Sequence, residues 1–376
     1  MSRTIVDIHI IQTVPPSNIN RDDTGSPKTA VYGGTRRARV SSQAWKRSTR
    51  DAFDSMLDTS ELGVRTRRVV ELLADEITRQ EPGLKDRAAE LAKATLEAAG
   101  IKLKAARKKE APEESGYLLF LSHAQVASLA ELAVSAAAAE GKLTIDKKEA
   151  KARADRQQSV DVALFGRMVA DDTELNVDAA VQVAHALSVH EVSNEYDYYT
   201  AVDDHKRADS EEDAGAGMIG TVEFNSATLY RYATVDVDRL RDTLGNEDVT
   251  RRAVEAFARA FVTSMPSGKQ NTFANRTLPD AVLVVVRDTQ PISFVGAFEE
   301  ALRGREQDSR IAASVRRLAD YGKDVQDTYD QRPVAAWCVG VGDRAAGLAE
   351  LGERTTFDVA TKAVGALVAE RMASRA

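Results

Sequence analysis

The sequence is poor in cysteine, since Cys338 is the only one in 376 residues. A single cysteine cannot form an internal disulfide, and it cannot build a cysteine-based zinc site. Cys338 lies in an apolar run, residues 334–341, where we expect a buried small side chain. A fold stapled by disulfides is therefore excluded.

Long apolar runs and a secretory leader are also lacking. No apolar run approaches the roughly 20 residues that span a bilayer. The first seven residues, MSRTIVD, lack the basic-then-apolar layout of a signal peptide. Hydrophobic residues make up 43% of the chain and charged residues 29%, which is ordinary for a globular protein of about two or three structural units. We expect a cytoplasmic protein with no membrane partner.

Motifs of catalysis are missing as well. The five histidines form no H-E-x-x-H pattern, and there is no G-x-S-x-G. His185 and His190 are five residues apart, so we expect His185 to pack or hydrogen-bond locally. Residues 267–270 (SGKQ) resemble a phosphate loop only superficially, and Asp203 with Asp204 is typical of an acidic surface loop. We predict no catalytic residue, no metal and no cofactor.

Charge is segregated along the chain, although the net charge is only -7. A basic segment, residues 28–50, contains no Asp or Glu, whereas acidic residues are dense between Asp203 and Asp213. Phosphate contacts depend on local rather than average charge. The positive residues of the basic segment are Lys28, Arg36, Arg37, Arg39, Lys46, Arg47 and Arg50.

Three features of the basic segment favour a phosphate-binding role over a solvated charged face. Its first arginines follow Gly33 and Gly34, whose backbone can approach a ligand closely. A helix is predicted to begin near Ser41 or Ser42, and a helix N-terminus offers N–H groups to phosphate. Lys46 would extend the positive surface along that helix. Such contacts position an RNA backbone without reading its bases.

Two adjacent tyrosines, Tyr198 and Tyr199, lie in a polar stretch that shows no clear periodicity. Aromatic rings in such a place stack on bases or wedge between them. The alternative is a tyrosine pair that anchors a loop on the core. The sequence leaves both interpretations open.

The apolar patterning predicts strands interleaved with helices, an α/β sandwich split by a helical block. Residues 15–35 are expected to be a loop, and Ser122 with Gln125 forms a capping-box pattern. The block 64–154 is expected to be helical without strands. Strands are predicted at 4–14, 160–169, 221–237, 281–286 and 334–341; helices are predicted at 41–56, 178–189, 254–262, 292–303, 309–321 and 357–373.

Several segments, taken in order, resemble the CasC family, the backbone subunit of the type I-E CRISPR surveillance complex Cascade. The resemblance spans most of the chain and is weakest from 58 to 155. The matching segments are 20–23 (NRDD), 33–43 (GGTRRARVSSQ), 46–47 (KR), 160–164 (VDVAL), 166–168 (GRM), 184–186 (AHA) with His190, 200–204 (TAVDD), Phe224, 230–233 (YRYA) and 269–270 (KQ).

The resemblance implies an α+β fold with three parts. An RRM-like (ferredoxin-like) palm would comprise residues 1–57, 156–193 and 225–376. A helical fingers domain would occupy 58–155, and a β-hairpin thumb 194–224.

The resemblance also implies a non-catalytic subunit in antiviral defence. Copies would line up head to tail along the guide, a contact that grows helical filaments. Thumbs would flip nucleotides out at regular intervals, and target DNA would pair with the remaining bases, so base pairing selects the sequence. The implied partners are CRISPR RNA, target DNA through the guide duplex, further copies of the chain, other Cascade subunits and, indirectly, the effector nuclease-helicase.

A separate hypothesis concerns the acidic run, residues 203–213. These residues would keep the thumb tip off the basic groove of their own subunit.

The resemblance assigns two groups of site residues. The guide phosphates would be held by Arg21, Lys28, Ser41, Gln43, Lys46, Arg47 and Arg50, with Lys269 and Gln270 as weaker candidates. The displaced nucleotide would lie against Met168, Tyr199, Thr200 and Ile219.

Two other functions stay open. A type III-like backbone subunit would cleave target RNA through Asp22 or Asp23, which lie in a loop near the basic segment, although a carboxylate beside Arg21 is more simply a structural ion pair. A general single-strand binder outside CRISPR would bind tightly without partner subunits.

Overall fold

The computed structural model describes residues 3–106, 112–138, 143–169, 175–201, 218–303 and 309–374. Contacts divide the chain into two compact units. Unit 1 comprises Met1–Asp51, Val183–Thr234 and Phe257–Leu367. Unit 2 comprises Ala52–Gln182, Val235–Ala256 and Val368–Ala376. Both units mix helices with strands, so the α+β class is confirmed.

The strands are β1 (Ile5–Ser17), β2 (Thr29–Tyr32), β3 (Thr35–Val40), β4 (Gly63–Thr66), β5 (Leu103–Lys104), β6 (Glu114–Ser115), β7 (Leu119–Ser122), β8 (Val181–Val183), β9 (Ala186–Ser188), β10 (Glu195–Ala201), β11 (Met218–Asp236), β12 (Ala281–Arg287), β13 (Ala335–Gly340) and β14 (Glu353–Arg354). The helices are α1 (Ser42–Phe53), α2 (Val69–Gln80), α3 (Ala88–Ala98), α4 (His123–Ala138), α5 (Lys147–Asp155), α6 (Val160–Phe165), α7 (Val237–Leu244), α8 (Glu247–Thr263), α9 (Gln270–Phe273), α10 (Arg310–Thr328) and α11 (Phe357–Ala373). In the described part of the chain, no helix has the length and apolar character needed to cross a membrane.

Unit 1 is built on a sheet with the strand order β14-β13-β12-β1-β11-β9-β3-β2. β12 pairs antiparallel with β1 from Ile5 opposite Arg287 to Ile11 opposite Ala281, and every residue of β12 is buried. The strand predicted at 281–286 is therefore confirmed, and it is covered on both faces. Leu283 of β12 packs in one core with Leu318 of α10.

A β-hairpin, β2–β3, occupies part of the stretch that the sequence predicted to be a loop. Gly33 and Gly34 join the two strands, with φ angles of +57° and +76°. Two residues in the left-handed region make the tight turn that suits the twist of paired strands, which explains the glycines. The prediction of a loop over 15–35 was wrong because two glycines between strand-forming runs indicate a hairpin.

Unit 2 has its own core, in which Leu73, Ile77, Leu91 and Leu129 are buried. The predicted capping box is confirmed at α4: the Ser122 amide donates to Gln125 Oε1, and the Gln125 amide donates to Ser122 Oγ, both at 2.9 Å. The expectation of a block without strands was wrong, because β4 pairs with β7 and β5 with β6. These strands are too short to show a periodicity of their own.

Three further predictions of secondary structure were wrong. Residues 160–169, expected to be a strand, contain helix α6, which ends at Gly166 with a φ of +80°. Residues 178–189, expected to be a helix, contain β8 and β9. Of the helix expected over 292–303, only a 3-10 turn, Val295–Phe298, forms. Short apolar runs fit a buried helix and a buried strand equally well, so tertiary packing decides between them.

Candidate nucleic-acid interface

An open groove on unit 1 collects several of the predicted RNA-binding residues. We call it the basic groove; its volume is 410 Å³. Three stretches line it: residues around Asn20 and Lys28, the first three turns of α1, and residues 266–268. Lys28, Ser41, Gln43 and Arg47 of the predicted set belong to its lining.

Asn20 holds two walls of the basic groove together. Its Oδ1 accepts the Ser41 amide at 2.8 Å, and its carbonyl oxygen accepts the Lys28 amide at 3.0 Å. The asparagine thereby fixes the start of α1 against Lys28, the residue directly before β2. Its position before Arg21 in the NRDD segment gave no hint of this structural role.

Gly268 forms the third wall by close approach of two backbones. A Cβ placed on Gly268 would lie 2.5 Å from the carbonyl oxygen of Ile19. No side chain fits there, so the glycine is required by packing. Sequence reasoning dismissed SGKQ as a failed phosphate loop and missed this; the glycine between two polar residues was the available signal. Lys269 and Gln270, which follow directly, are not part of the groove lining.

The N-terminus of α1 does not match the hypothesis of free N–H groups. His185 Nδ1 accepts the Ser42 amide at 3.1 Å, so the histidine does hydrogen-bond, but its partner is 143 positions away in the chain. Ser41 Oγ accepts the Gln43 amide at 3.3 Å, and the Ser41 carbonyl accepts the Ala44 amide at 3.0 Å. Because these donors have partners, α1 can present its side chains to a ligand, but not its first amides.

The cations of α1 differ in exposure. Arg47 is exposed and lies 3.8 Å from Asp51, an exposed pair of the kind that contributes at most about 1 kcal/mol and can yield to phosphate. Lys46 and Arg50 are partly buried. Burial lowers the pKa of Lys46. Arg21 is exposed on the adjoining loop.

Arg37 belongs to the basic segment, but the structure turns it away from any phosphate. Its side chain is fully buried. The guanidinium donates to the carbonyl oxygens of Ser188 at 2.9 Å, Phe298 at 3.1 Å and Glu299 at 2.9 Å. A Cβ on Gly33 would lie 1.6 Å from the Glu299 oxygen, so this glycine also serves internal packing rather than ligand approach.

Arg231 supports α1 from beneath. Its guanidinium carbon lies 3.6 Å from the ring centroid of Trp45 and 4.7 Å from that of Phe261. It also donates to Gln12 Oε1 at 2.5 Å. Burial lowers the pKa of Arg231 to about 9. An arginine between two aromatic faces fixes Trp45, and with it the face of α1 that carries the cations.

The β10–β11 hairpin presents the tyrosines to solvent. Tyr199 is paired with Gly220, and a Cβ on that glycine would lie 2.4 Å from the Tyr199 hydroxyl oxygen. The ring therefore lies across the opposite strand. Tyr196, Tyr198 and Tyr199 are 68%, 64% and 40% exposed. The interpretation that the pair anchors a loop on the core was wrong.

The remaining thumb candidates stay predictions. Thr200 and Ile219 face each other in the hairpin register, and the structure describes only their backbone. Met168 is 82% exposed in unit 2. The acidic run, with Asp203 and Asp204, lies outside the described residues.

The base of the hairpin is tied to the loop beside the groove. Asn18 Nδ2 donates to the carbonyl oxygens of Gly25 and Glu223, both at 2.9 Å. The ring centroids of Phe224 and Phe273 are 5.7 Å apart. These contacts fix the root of the hairpin within unit 1 and leave its tyrosines exposed.

Asp22, the candidate nuclease residue, holds its own loop. Its Oδ1 accepts the Thr24 amide at 2.9 Å, the Thr24 hydroxyl at 2.7 Å and the Ser26 amide at 3.0 Å. The Thr24 hydroxyl and the backbone amides lower the pKa of Asp22. The described residues contain no group of three or more His, Cys, Asp or Glu side chains able to hold a metal.

The prediction of a buried cysteine is confirmed, because Cys338 is buried.

The fold and the groove define an α+β protein with a basic cleft beside a β-hairpin. The chain matches the model of the CT1975-like protein family over residues 6–363. It therefore belongs to that family, the CasC family of CRISPR backbone subunits.

Two solved structures are similar over nearly the whole chain. A chain of a "CRISPR RNA-guided surveillance complex, pre-nicking" is 38% identical in sequence, with a TM-score of 0.84. The match covers 97% of the present chain and 99% of that chain. A chain of a "CRISPR RNA-guided surveillance complex" is 33% identical, with coverages of 96% and 99% and a TM-score of 0.73. No curated protein is significantly similar.

Proposed function

We propose that the chain is a non-catalytic CRISPR RNA-binding backbone subunit of a type I-E Cascade complex. The observation that carries the proposal is the basic groove, where Lys28, Ser41, Gln43 and Arg47 line one cleft. Lysine and arginine bind phosphate oxygens, and neither serine nor glutamine adds a repelling charge. The similar chains come from RNA-guided complexes, which favours a guide RNA as the occupant.

The proposed palm is RRM-like. In chain order, β1, α1, β9, β11, α8 and β12 follow the split β-α-β-β-α-β pattern, and these four strands are neighbours in the order β12-β1-β11-β9. The β2–β3 hairpin is then an addition between the first strand and the first helix. The helical block 58–155 is proposed as the fingers, and residues 194–224 as the thumb.

The proposed thumb displaces a guide nucleotide at each copy. Tyr199 is held across Gly220 with part of its ring exposed, which suits an aromatic surface that stacks on a base. Copies bound head to tail would repeat this break at a constant interval, and the bases between would pair with target DNA. Other Cascade subunits and the effector nuclease-helicase are proposed partners of the assembled complex.

The RNA that accompanies the purified chain tests this function. We expect the full chain, co-expressed with a CRISPR array and its partner subunits, to carry RNA of one defined length on a denaturing gel. Host RNA of random length would indicate a general single-strand binder. RNA-free protein at low salt would contradict the proposal.

The second candidate is cleavage of target RNA through Asp22 or Asp23. Asp22 and Asp23 are both exposed and line the same wide cleft, where an RNA strand could reach them. Its carboxylate, however, is held by Thr24 and Ser26. Complementary RNA should stay intact with magnesium; cuts that Asp22→Ala or Asp23→Ala abolishes would establish the nuclease instead.

A further inference from the structure

His185, in the turn between β8 and β9, has a fixed tautomer. Its Nδ1 is 3.1 Å from the Ser42 amide nitrogen, and a backbone amide can only donate. Nδ1 must therefore offer its lone pair, and the proton of the neutral ring resides on Nε2. The side chain is exposed, and no partner for Nε2 is found within the described part of unit 1.

The surroundings of His185 favour the neutral form. Partial loss of water around the ring, followed by the positive charges of Arg39 and Lys28, lowers the pKa of His185. Both cations belong to the basic segment, and Lys28 lines the basic groove. Ser41 and Gln43, which flank Ser42, line it as well. An uncharged N–H donor thus stands at the rim of the groove beside two cations.

We propose that His185 donates its Nε2–H to a phosphate oxygen of the bound RNA, as an uncharged member of the clamp. A phosphate oxygen is the acceptor that Lys28 and Arg39 would hold at this place. The inference rests on the proposed function, since it takes the basic groove to be the RNA site. It assigns a role to the AHA segment beyond the support of α1.

An uncharged donor has a distinct signature in solution. Each cation that contacts a single strand steepens the dependence of log affinity on log salt by about 0.7, because it releases a counterion. A neutral donor strengthens binding and leaves this slope unchanged. A residue that only holds α1 in place would instead alter the slope when removed, because the cations of α1 would move with the helix.

Fluorescence anisotropy of the full chain with a fluorescein-labelled single-stranded RNA, titrated at several NaCl concentrations, tests the inference. We expect His185→Ala to weaken binding about three- to tenfold at every salt concentration, with the wild-type slope. His185→Asn should recover most of the loss, because Asn can accept the Ser42 amide and still donate. Lys28→Ala, the charged comparison, should lower the slope by about 0.7.

The outcomes separate this inference from the proposed function. The role of His185 would be overturned if His185→Ala bound RNA with wild-type affinity, or if its salt slope fell together with its affinity. If Lys28→Ala binds RNA more weakly in the same experiment, the basic groove is still upheld as the RNA site. If Lys28→Ala binds RNA as tightly as the wild type, the basic groove is not the RNA site. As a readout independent of folding in the variants, RNA should shift the Nε2–H signal of His185 in ¹⁵N spectra of the wild type; an unmoved signal would refute the contact.

Discussion

The β2–β3 hairpin and helix α1 are two regions of the same basic segment, and they use their arginines in opposite ways. Arg37 on β3 is buried against three carbonyl oxygens, whereas Arg47 on α1 is exposed at the groove. Both lie in a stretch without acidic residues. Basic composition therefore does not identify a phosphate ligand; the burial of each side chain does.

The difference has an energetic basis. A buried guanidinium has lost its water, so it must be satisfied by protein acceptors, and those acceptors in turn depend on it. An exposed cation keeps its water and exchanges it for a phosphate on binding. The hairpin should therefore respond to mutation through stability, and α1 through RNA affinity.

The largest effect is expected for Arg37→Met. Three carbonyl oxygens, two of them buried, would lose their donor, so the free energy of unfolding should fall by about 3–5 kcal/mol. Chemical denaturation measures it. Arg36→Ala, the exposed neighbour, is the matched control and should change stability by less than about 0.5 kcal/mol. Equal stability of the two variants would remove the distinction between the regions.

The next effect is expected for Lys46, Arg47 and Arg50 of α1 replaced together by Ala. RNA affinity should fall about a hundredfold for every guide sequence, and the salt slope should fall by about 2. Filter binding with two unrelated RNAs measures both quantities. An affinity equal to wild type, or a loss confined to one sequence, would contradict a backbone clamp.

Gly33 and Gly34 offer a matched pair within the hairpin turn. Gly34→Ala should lower the free energy of unfolding by about 1 kcal/mol, because the positive φ strains an alanine and its Cβ meets no other atom. Gly33→Ala adds a Cβ against the Glu299 oxygen and should cost about 2 kcal/mol more. Thermal unfolding of both variants measures the difference. Equal losses would show that β2–β3 is not packed against Glu299.

The last prediction concerns the acid sensitivity of His190, which is buried in unit 1. Its Nε2 accepts the Thr228 amide at 3.1 Å, and burial lowers the pKa of His190 to about 4. Because the folded pKa lies below the unfolded value of 6.5, its stabilisation is present above pH 6.5 and is lost as pH falls toward 4. We expect a loss of about 2 kcal/mol by pH 5.

Unfolding titrations of the wild type and His190→Gln between pH 7 and pH 5 check this. The variant should be less stable at pH 7 and should lose less stability on acidification. Parallel pH profiles would place the acid sensitivity elsewhere in the interior.

The sequence was sufficient to predict an element where one pattern of neighbouring residues specified it. The apolar run of β12, the capping box of α4 and the terminal helix α11 formed as predicted, because periodicity or capping chemistry alone specifies them. The burial of Cys338 followed from its apolar neighbours. Each of these features depends on residues close together in the chain.

Other features depend on residues far apart and could not be predicted. Arg37 is buried because Phe298 and Glu299 fold over it, about 260 positions away. The approach of Gly268 to Ile19 is equally distant in sequence. The basic groove was predicted as a set of side chains, but its third wall and its support by Arg231 were not.

The most direct test of the central claim is a map of RNA–protein cross-links. Full chain bound to RNA containing 4-thiouridine would be irradiated, digested and analysed by mass spectrometry. We expect cross-links within residues 28–50 and 266–270, around the basic groove. Cross-links confined to residues 58–155 would contradict it.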